Sequence, residues 1–177
     1  MRIIGGLLGK RIIRPPVGLP VRPTTDKAKE ALFNILNNYL DFEEIRVLDL
    51  FAGTGSISYE FASRGAEQVV AIDNNFKCVR FMQQVKQQFE LENLTVYKTD
   101  ALKYIAYALG SFDLVFCDPP YNMAGIDQIP EMVFSKQLVN EEGLLIVEHP
   151  ANIVFDNHPH FSFKRNYSKV HFSFFEP

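Results

Sequence analysis

Arg46-Val47-Leu48-Asp49-Leu50-Phe51-Ala52-Gly53-Thr54-Gly55-Ser56 begins as an apolar run and breaks into a glycine turn. A short apolar run closed by turn residues reads as a strand buried on both faces. It predicts a strand over 46–51 and a helix over 56–64 that Gly65 ends. The same unit then recurs toward the C-terminus. Strands are expected at 68–72, 94–98, 112–117 and 144–148, with helices at 76–89, 101–108 and around 130–138. Two aromatic, alternating runs, 161–165 and 169–175, read as an antiparallel hairpin at the sheet edge. Successive strand–helix units imply an α/β fold: a seven-stranded, mostly parallel sheet with helices on both faces. Ligands of such sheets sit beyond the carboxyl ends of the strands, where the strand order reverses.

Upstream of residue 46 the pattern is different. Arg2–Ile4 and Lys10–Ile13 look like short strands joined through Gly5, Gly6 and Gly9. Pro15, Pro16, Pro20 and Pro23 make an extended connector. Thr25 or Asp26 then caps a helix whose apolar face is Ala28, Ala31, Leu32, Ile35, Leu36 and Tyr39. The chain is thus divided into an extension, 1–40, and a main domain, 41–177.

Composition bounds the function. With 47% apolar and 22% charged residues the chain is globular. Its apolar runs, such as Leu144–Val147, are too short to span a bilayer, and the first ten residues hold no secretory core. A cytoplasmic monomer with no membrane contact is expected. The net charge is −3, yet residues 1–29 carry seven cations (Arg2, Lys10, Arg11, Arg14, Arg22, Lys27, Lys29) against Asp26 alone. A basic arm on an acidic body suggests that the arm meets a polyanion. Cys78 and Cys117 have no metal-ligand spacing and read as packing, His149, His158, His160 and His171 as scattered side chains, and no metal is expected.

Four motifs fall at predicted strand ends. Gly53 and Gly55 permit a tight turn and close backbone approach, but there is no third glycine of a dinucleotide fingerprint and no lysine of a phosphate loop. Asp73, roughly 20 residues beyond that turn, is placed to accept hydrogen bonds from two ribose hydroxyls. Asp100 is placed to reach an adenine amino group. Together they outline an adenosine pocket without a phosphate site, which suits S-adenosylmethionine.

Asp118-Pro119-Pro120-Tyr121 follows the strand Phe112–Cys117 and carries the chemistry. The prolines fix the loop, so that the Asp118 side chain and the Pro119 carbonyl are aimed as paired acceptors. An exocyclic base amine is a poor nucleophile because its lone pair is delocalised into the ring. Two acceptors holding its hydrogens favour pyramidal nitrogen and turn the lone pair toward a sulfonium methyl. Tyr121 offers a surface for base stacking, a contact worth ~1–3 kcal/mol.

The Asp118–Tyr121 loop resembles motif IV of class I amino-methyltransferases, and Asp49–Gly55 resembles their motif I. Residues 22–34, Arg-Pro-Thr-Thr-Asp-Lys-Ala-Lys-Glu-Ala-Leu-Phe-Asn, are similar to the signature of the RsmD family, as are Ile3–Gly6 and Leu48–Gly55. Those are bacterial enzymes that methylate guanine N2 in small-subunit (16S) ribosomal RNA. The resemblance implies a Rossmann-like class I methyltransferase fold. It places Phe51, Gly53, Gly55, Asp73 and Asp100 at the S-adenosylmethionine site, with Asp49, Ala52, Asn74 and Ala101 counted beside them. It gives Asp118, Pro119, Pro120 and Tyr121 to the target base. The arm residues Arg2, Lys10, Arg11, Arg22, Thr25, Lys27 and Lys29 are given to ribosomal RNA, naked or within an assembling 30S particle. Where the family usually has arginines this chain has Lys27 and Lys29, which keep charge without the bidentate fork.

The rival readings are a DNA adenine-N6 or cytosine-N4 methyltransferase, a protein glutamine methyltransferase and a non-catalytic scaffold. The first usually carries a recognition insertion, for which the short stretches between motifs leave no room. The second typically has asparagine where Asp118 stands, and the third has no chemical need for Asp118 and Tyr121.

Overall fold

The computed structural model describes residues 1–19, 25–167 and 170–177. Its strands are β1 (Arg46–Leu50), β2 (Gln68–Asp73), β3 (Leu94–Lys98), β4 (Phe112–Cys117), β5 (Val139–His149), β6 (Phe161–Tyr167) and β7 (Val170–Phe175). The helices are α1 (Asp26–Leu36), α2 (Ser56–Ser63), α3 (Phe76–Gln88), α4 (Ala101–Tyr107) and α5 (Ile129–Ser135). One seven-stranded sheet runs β3-β2-β1-β4-β5-β7-β6. Strands β1 to β5 are parallel, and β7 lies antiparallel between β5 and β6. The hairpin therefore ends the sheet with β6 at the rim.

Successive side chains of a strand point to opposite faces, and here both faces are apolar. Val47, Val69, Ala71, Leu114, Phe116, Ile146 and Phe174 join one buried cluster with Phe61 of α2 and Met82 and Val85 of α3. Leu48, Leu50, Val70, Ile72, Val115, Leu145 and Val147 join the other with Ile105 of α4 and Val133 of α5. Helices on both faces follow from that burial. Strand order reverses between β1 and β4: the chain first winds outward to β3, then returns to the other side of β1.

The arm pairs less extensively than the two expected strands. The two runs do pair antiparallel, with a bridge at Arg2 and Ile12. The Ile3 N–H donates to the Arg11 carbonyl and the Ile13 N–H to the Met1 carbonyl, both at 2.9 Å, but no further bridge forms toward the turn among the described residues. The reason is competition from α2. The Ile4 and Gly5 N–H groups each donate to the Glu60 carboxylate at 2.8 Å, Leu7 donates to the Ser63 carbonyl at 2.7 Å, and Leu8 donates to Ser63 Oγ at 2.9 Å. A Cβ at Gly6, where φ is +71°, would lie 1.9 Å from the Ser63 carbonyl oxygen, so only glycine permits this approach. Ile3, Ile13, Leu32, Phe33 and Leu36 complete the α2–α3 cluster.

Thr25 caps α1 by accepting from the Ala28 N–H at 3.2 Å. The buried face of α1 is Ala28, Lys29, Leu32, Phe33 and Leu36, one position round from the expected stripe, while Tyr39 lies beyond the helix and half exposed. Strand β5 starts at Val139, earlier than expected, because its first residues pair with Phe112 across a register irregularity. Helix α5 accordingly ends before Gln137, whose φ of +53° turns the chain into β5.

Candidate active site

The register brings the strand ends level. Leu50 pairs with Ile72 and with Cys117, Asp73 with Lys98, and Cys117 with Val147. Residues just past those pairs form one rim: Phe51, Asp100, Asp118 and Glu148. The glycine loop after β1 and the Asp118 loop after β4 flank the point where strand order reverses, which is where open α/β sheets take ligands.

The glycine loop is tightly wound, with positive φ at Phe51 (63°), Gly53 (56°) and Gly55 (80°). The Ala52 N–H donates to the Ile72 carbonyl at 2.8 Å. Asp73 fastens the loop from the β2 side: its Oδ2 accepts from the Gly53 N–H and its Oδ1 from the Asn75 N–H, both at 2.8 Å. Each carboxylate oxygen keeps a lone pair for a further donor. Burial raises the Asp73 carboxyl above its ordinary range. At Gly55 the close neighbour is protein: a Cβ there would sit 2.6 Å from the Tyr59 ring. Tyr59 is fully buried, and its hydroxyl has no partner among the described residues.

Asp49 lies beneath the loop. It is buried and accepts from Ser58 Oγ at 2.5 Å, and loss of water pushes its carboxyl up to about 7. Asp100 caps α4 by accepting from the Lys103 N–H at 3.0 Å. Asn74 is exposed, and Ala101 is buried. The Lys29 ammonium near the start of α2 is committed to the Ser56 hydroxyl and the Glu60 carboxylate. Carboxylates with spare lone pairs beside exposed backbone fit ribose hydroxyls and a cationic sulfonium. The residues present therefore fit S-adenosylmethionine by their acceptor chemistry.

Across the switch point stands Asp118. Burial, then the charges of Glu148 and Asp49, hold its carboxyl well above the usual range. Pro119 is buried and Pro120 exposed; the Met123 N–H closes a turn on the Pro120 carbonyl at 2.8 Å. Tyr121 is 46% exposed, and its hydroxyl donates to Glu148 Oε1 at 3.1 Å. Cys117 is fully buried with its thiol raised well above the ordinary value, and Cys78 is buried and raised to about 11; neither is a nucleophile at neutral pH.

The sequence reading gave Glu148 no role beyond ending a strand. It is only 6% exposed, its carboxyl is pushed up to about 7 by burial, and its Oε2 has no partner among the described residues. The missed signal was its place, one residue past the β5 position that pairs with Cys117.

The arm divides. Arg2, Lys10, Arg11, Thr25 and Lys27 are exposed, with Arg2 3.8 Å from Asp26. Arg22 lies outside the described residues, as do Pro20, Pro23, Thr24 and Lys169. Lys29 corrects the expectation: at 1% exposure it faces inward. Its Nζ donates to the Arg2 carbonyl at 2.6 Å and to Ser56 Oγ at 3.1 Å, and it lies 3.6 Å from Glu60. An ammonium held by three internal acceptors is not offered to RNA. Among the described residues no His, Cys, Asp and Glu side chains are grouped as a metal ion requires. Among the described residues no helix is long and apolar enough to cross a membrane.

Residues 1–176 match the family described as "Conserved hypothetical protein 95". The chain is 33% identical over 157 residues to the Bacillus subtilis protein named "Putative rRNA methyltransferase YlbH", covering 86% of this chain and 84% of that one. It is 28% identical over 148 residues to the Escherichia coli "Ribosomal RNA small subunit methyltransferase D", covering 84% and 74%. The solved structure of "Putative methyltransferase yhhF" from Escherichia coli superposes with a TM-score of 0.87 at 26% identity, covering 99% and 96%. A match that runs from the arm through the glycine loop and the Asp118 loop to the last hairpin makes this chain a member of that family, the RsmD family.

Proposed function

We propose that this protein transfers a methyl group from S-adenosylmethionine to the N2 amine of a guanine in small-subunit ribosomal RNA. The observation that carries the reading is Asp118, half-buried one residue past β4 and set opposite the β1 glycine loop at the switch point. The names of the bacterial relatives support the RNA substrate.

Asp73 and Asp100 hold the adenosine, and the wound backbone of 51–55 lies against the rest of the cofactor. Asp118 and the Pro119 carbonyl take the two amine hydrogens, and the Tyr121 ring supports the base. The bound cofactor supplies a methyl on a positively charged sulfur, which keeps the bonding pair on transfer and becomes a neutral thioether. The amine nitrogen then gives up one proton, and the raised affinity of Asp118 for protons suits it to receive that proton. Alignment is the main catalytic device. The base has to leave its stack to reach the rim, which favours a loop in the RNA. Residues 1–40, with Arg2, Lys10, Arg11 and Lys27 exposed, and with Arg22, serve as the RNA-binding extension to the domain 41–177.

The test is nucleoside mass spectrometry of ribosomal RNA from cells lacking the gene, incubated with the protein and labelled S-adenosylmethionine. Label in N2-methylguanosine is the expected result. Label only as N6-methyladenine in a DNA control would move the assignment to a DNA enzyme, and no label in either would leave a scaffold.

The pH profile follows from Asp118. Only the charged carboxylate accepts both an amine hydrogen and, later, the proton. A carboxyl raised by burial and by Glu148 and Asp49 stays protonated to higher pH, so activity is lost as pH falls through the raised value. The single-turnover rate is expected to climb with pH through a midpoint above the range of an ordinary aspartate near 4. A rate already flat above the ordinary aspartate range would remove Asp118 from the proton's path.

A further inference from the structure

We propose that Glu148 is the group that distinguishes guanine from other amino-bearing bases at this site, by accepting the ring N1–H beside the reacting amine. The inference rests on the guanine-N2 reading above and adds the basis of its selectivity.

Glu148 stands one residue past the last β5 position paired with β4, as Asp118 stands one residue past its partner Cys117. The two carboxylates are therefore neighbours on the rim, and each opposes the other's ionisation: the Glu148 charge is the leading electrostatic cause of the raised Asp118 carboxyl. Oε1 of Glu148 accepts from the Tyr121 hydroxyl, while Oε2 is enclosed and has no partner among the described residues. A buried carboxylate oxygen left without a donor is unfavourable. No cation lies within salt-bridge distance of either carboxylate among the described residues. The fold thus holds two like charges side by side where a base amine has to enter.

What relieves such a pair is a ring donor directly beside the amine. Guanine offers one: its N1–H lies next to the two N2 hydrogens. Adenine and cytosine place a bare ring nitrogen, an acceptor, next to their amino groups, and a carboxylate repels it. Asp118 and the Pro119 carbonyl take the amine hydrogens, and Glu148 takes the N1–H. Reading a flipped base by its Watson–Crick edge is the general solution for enzymes that act on bases. The Tyr121 hydroxyl, already on Oε1, keeps the carboxylate in place and leaves Oε2 as the oxygen for the N1–H.

The experiment uses one RNA hairpin that the wild-type protein methylates at a guanine, and a copy with 2-aminopurine at that position. The analogue keeps the 2-amino group and lacks the N1–H. The wild type is expected to prefer guanine in kcat/KM by at least about a hundredfold, because a site built for an N–H rejects an analogue without it. Glu148→Gln, whose amide can donate to the bare N1, is expected to narrow that ratio by at least about tenfold. A purely structural role for Glu148 would lower both rates together and leave the ratio unmoved. Equal rates on the two hairpins with the wild type, or an unchanged ratio in the variant, would overturn the inference. The wild-type comparison stands even where the variant does not fold. Failure to label guanine in any RNA would instead overturn the guanine-N2 reading, and the inference with it.

Discussion

In the Asp118→Ala variant methyl transfer falls by at least about a hundredfold, the scale of a positioned proton acceptor, while the cofactor binds nearly as before. The asymmetry follows from placement. Asp118 belongs to the loop after β4, whereas the groups assigned to the cofactor sit after β1, β2 and β3. Nor does the substitution empty a stabilising pair: the Asp118 charge faces Glu148 and Asp49, both acidic, so its removal relieves repulsion. The variant should melt no earlier than the wild type at neutral pH, while its transfer rate collapses. Single-turnover rates with labelled S-adenosylmethionine, calorimetric cofactor titration and thermal melting separate the three quantities. Loss of cofactor affinity in proportion to rate would show that the two loops do not divide the work in this way.

Glu60→Ala produces the largest loss of stability, about 3–5 kcal/mol, the usual result of removing one partner from a buried pair. Glu60 is fully buried on α2 and collects four donors: the Ile4 and Gly5 N–H groups, Arg64 Nε at 2.9 Å, and the Lys29 ammonium. Alanine leaves Lys29 enclosed without its anion and two backbone donors without acceptors. Burial already lowers the Lys29 pKa, with Glu60 the largest influence opposing it. The arm is expected to come away from α2, so that proteolysis near residues 1–19 speeds up in parallel with the loss measured by urea unfolding. A change below about 1 kcal/mol, the scale of an exposed ion pair, would mean that apolar contacts of Ile3 and Ile13 hold the arm instead.

The sheet was legible because its cues are local. Strands 94–98 and 112–117 have in the structure the bounds that their flanking turns imply, since a strand buried on both faces announces itself by composition alone. The motifs at strand ends were legible for the same reason, and the glycine loop and the Asp118 loop do meet across the switch point. The arm was not, because the acceptor that captures Ile4 and Gly5 lies more than fifty positions away, and no local pattern signals Glu60. Lys29 was misplaced for a different reason. Counting from residue 29 by helical steps reaches Leu32, Phe33 and Leu36, the face that is in fact buried, but the charge drew the residue outward in the reading. Glu148 was passed over because a single acid at a strand end carries no pattern. Its meaning comes from the neighbouring strand.

The insertion of β7 between β5 and β6 has a consequence for synthesis. Chains emerge from the ribosome N-terminus first, and the five parallel strands are complete by residue 149. The outer rim of β5 then has no partner, because β6 joins the sheet only through β7. Phe172, Phe174 and Phe175, all fully buried in the finished molecule, are made after every parallel strand. A nascent or prematurely terminated chain ending before residue 170 thus presents bare backbone next to Leu145, Ile146 and Val147, the kind of edge that recruits other chains. Translation fidelity over the codons of β7, and chaperone cover until they are read, decide how much of this protein is recovered soluble.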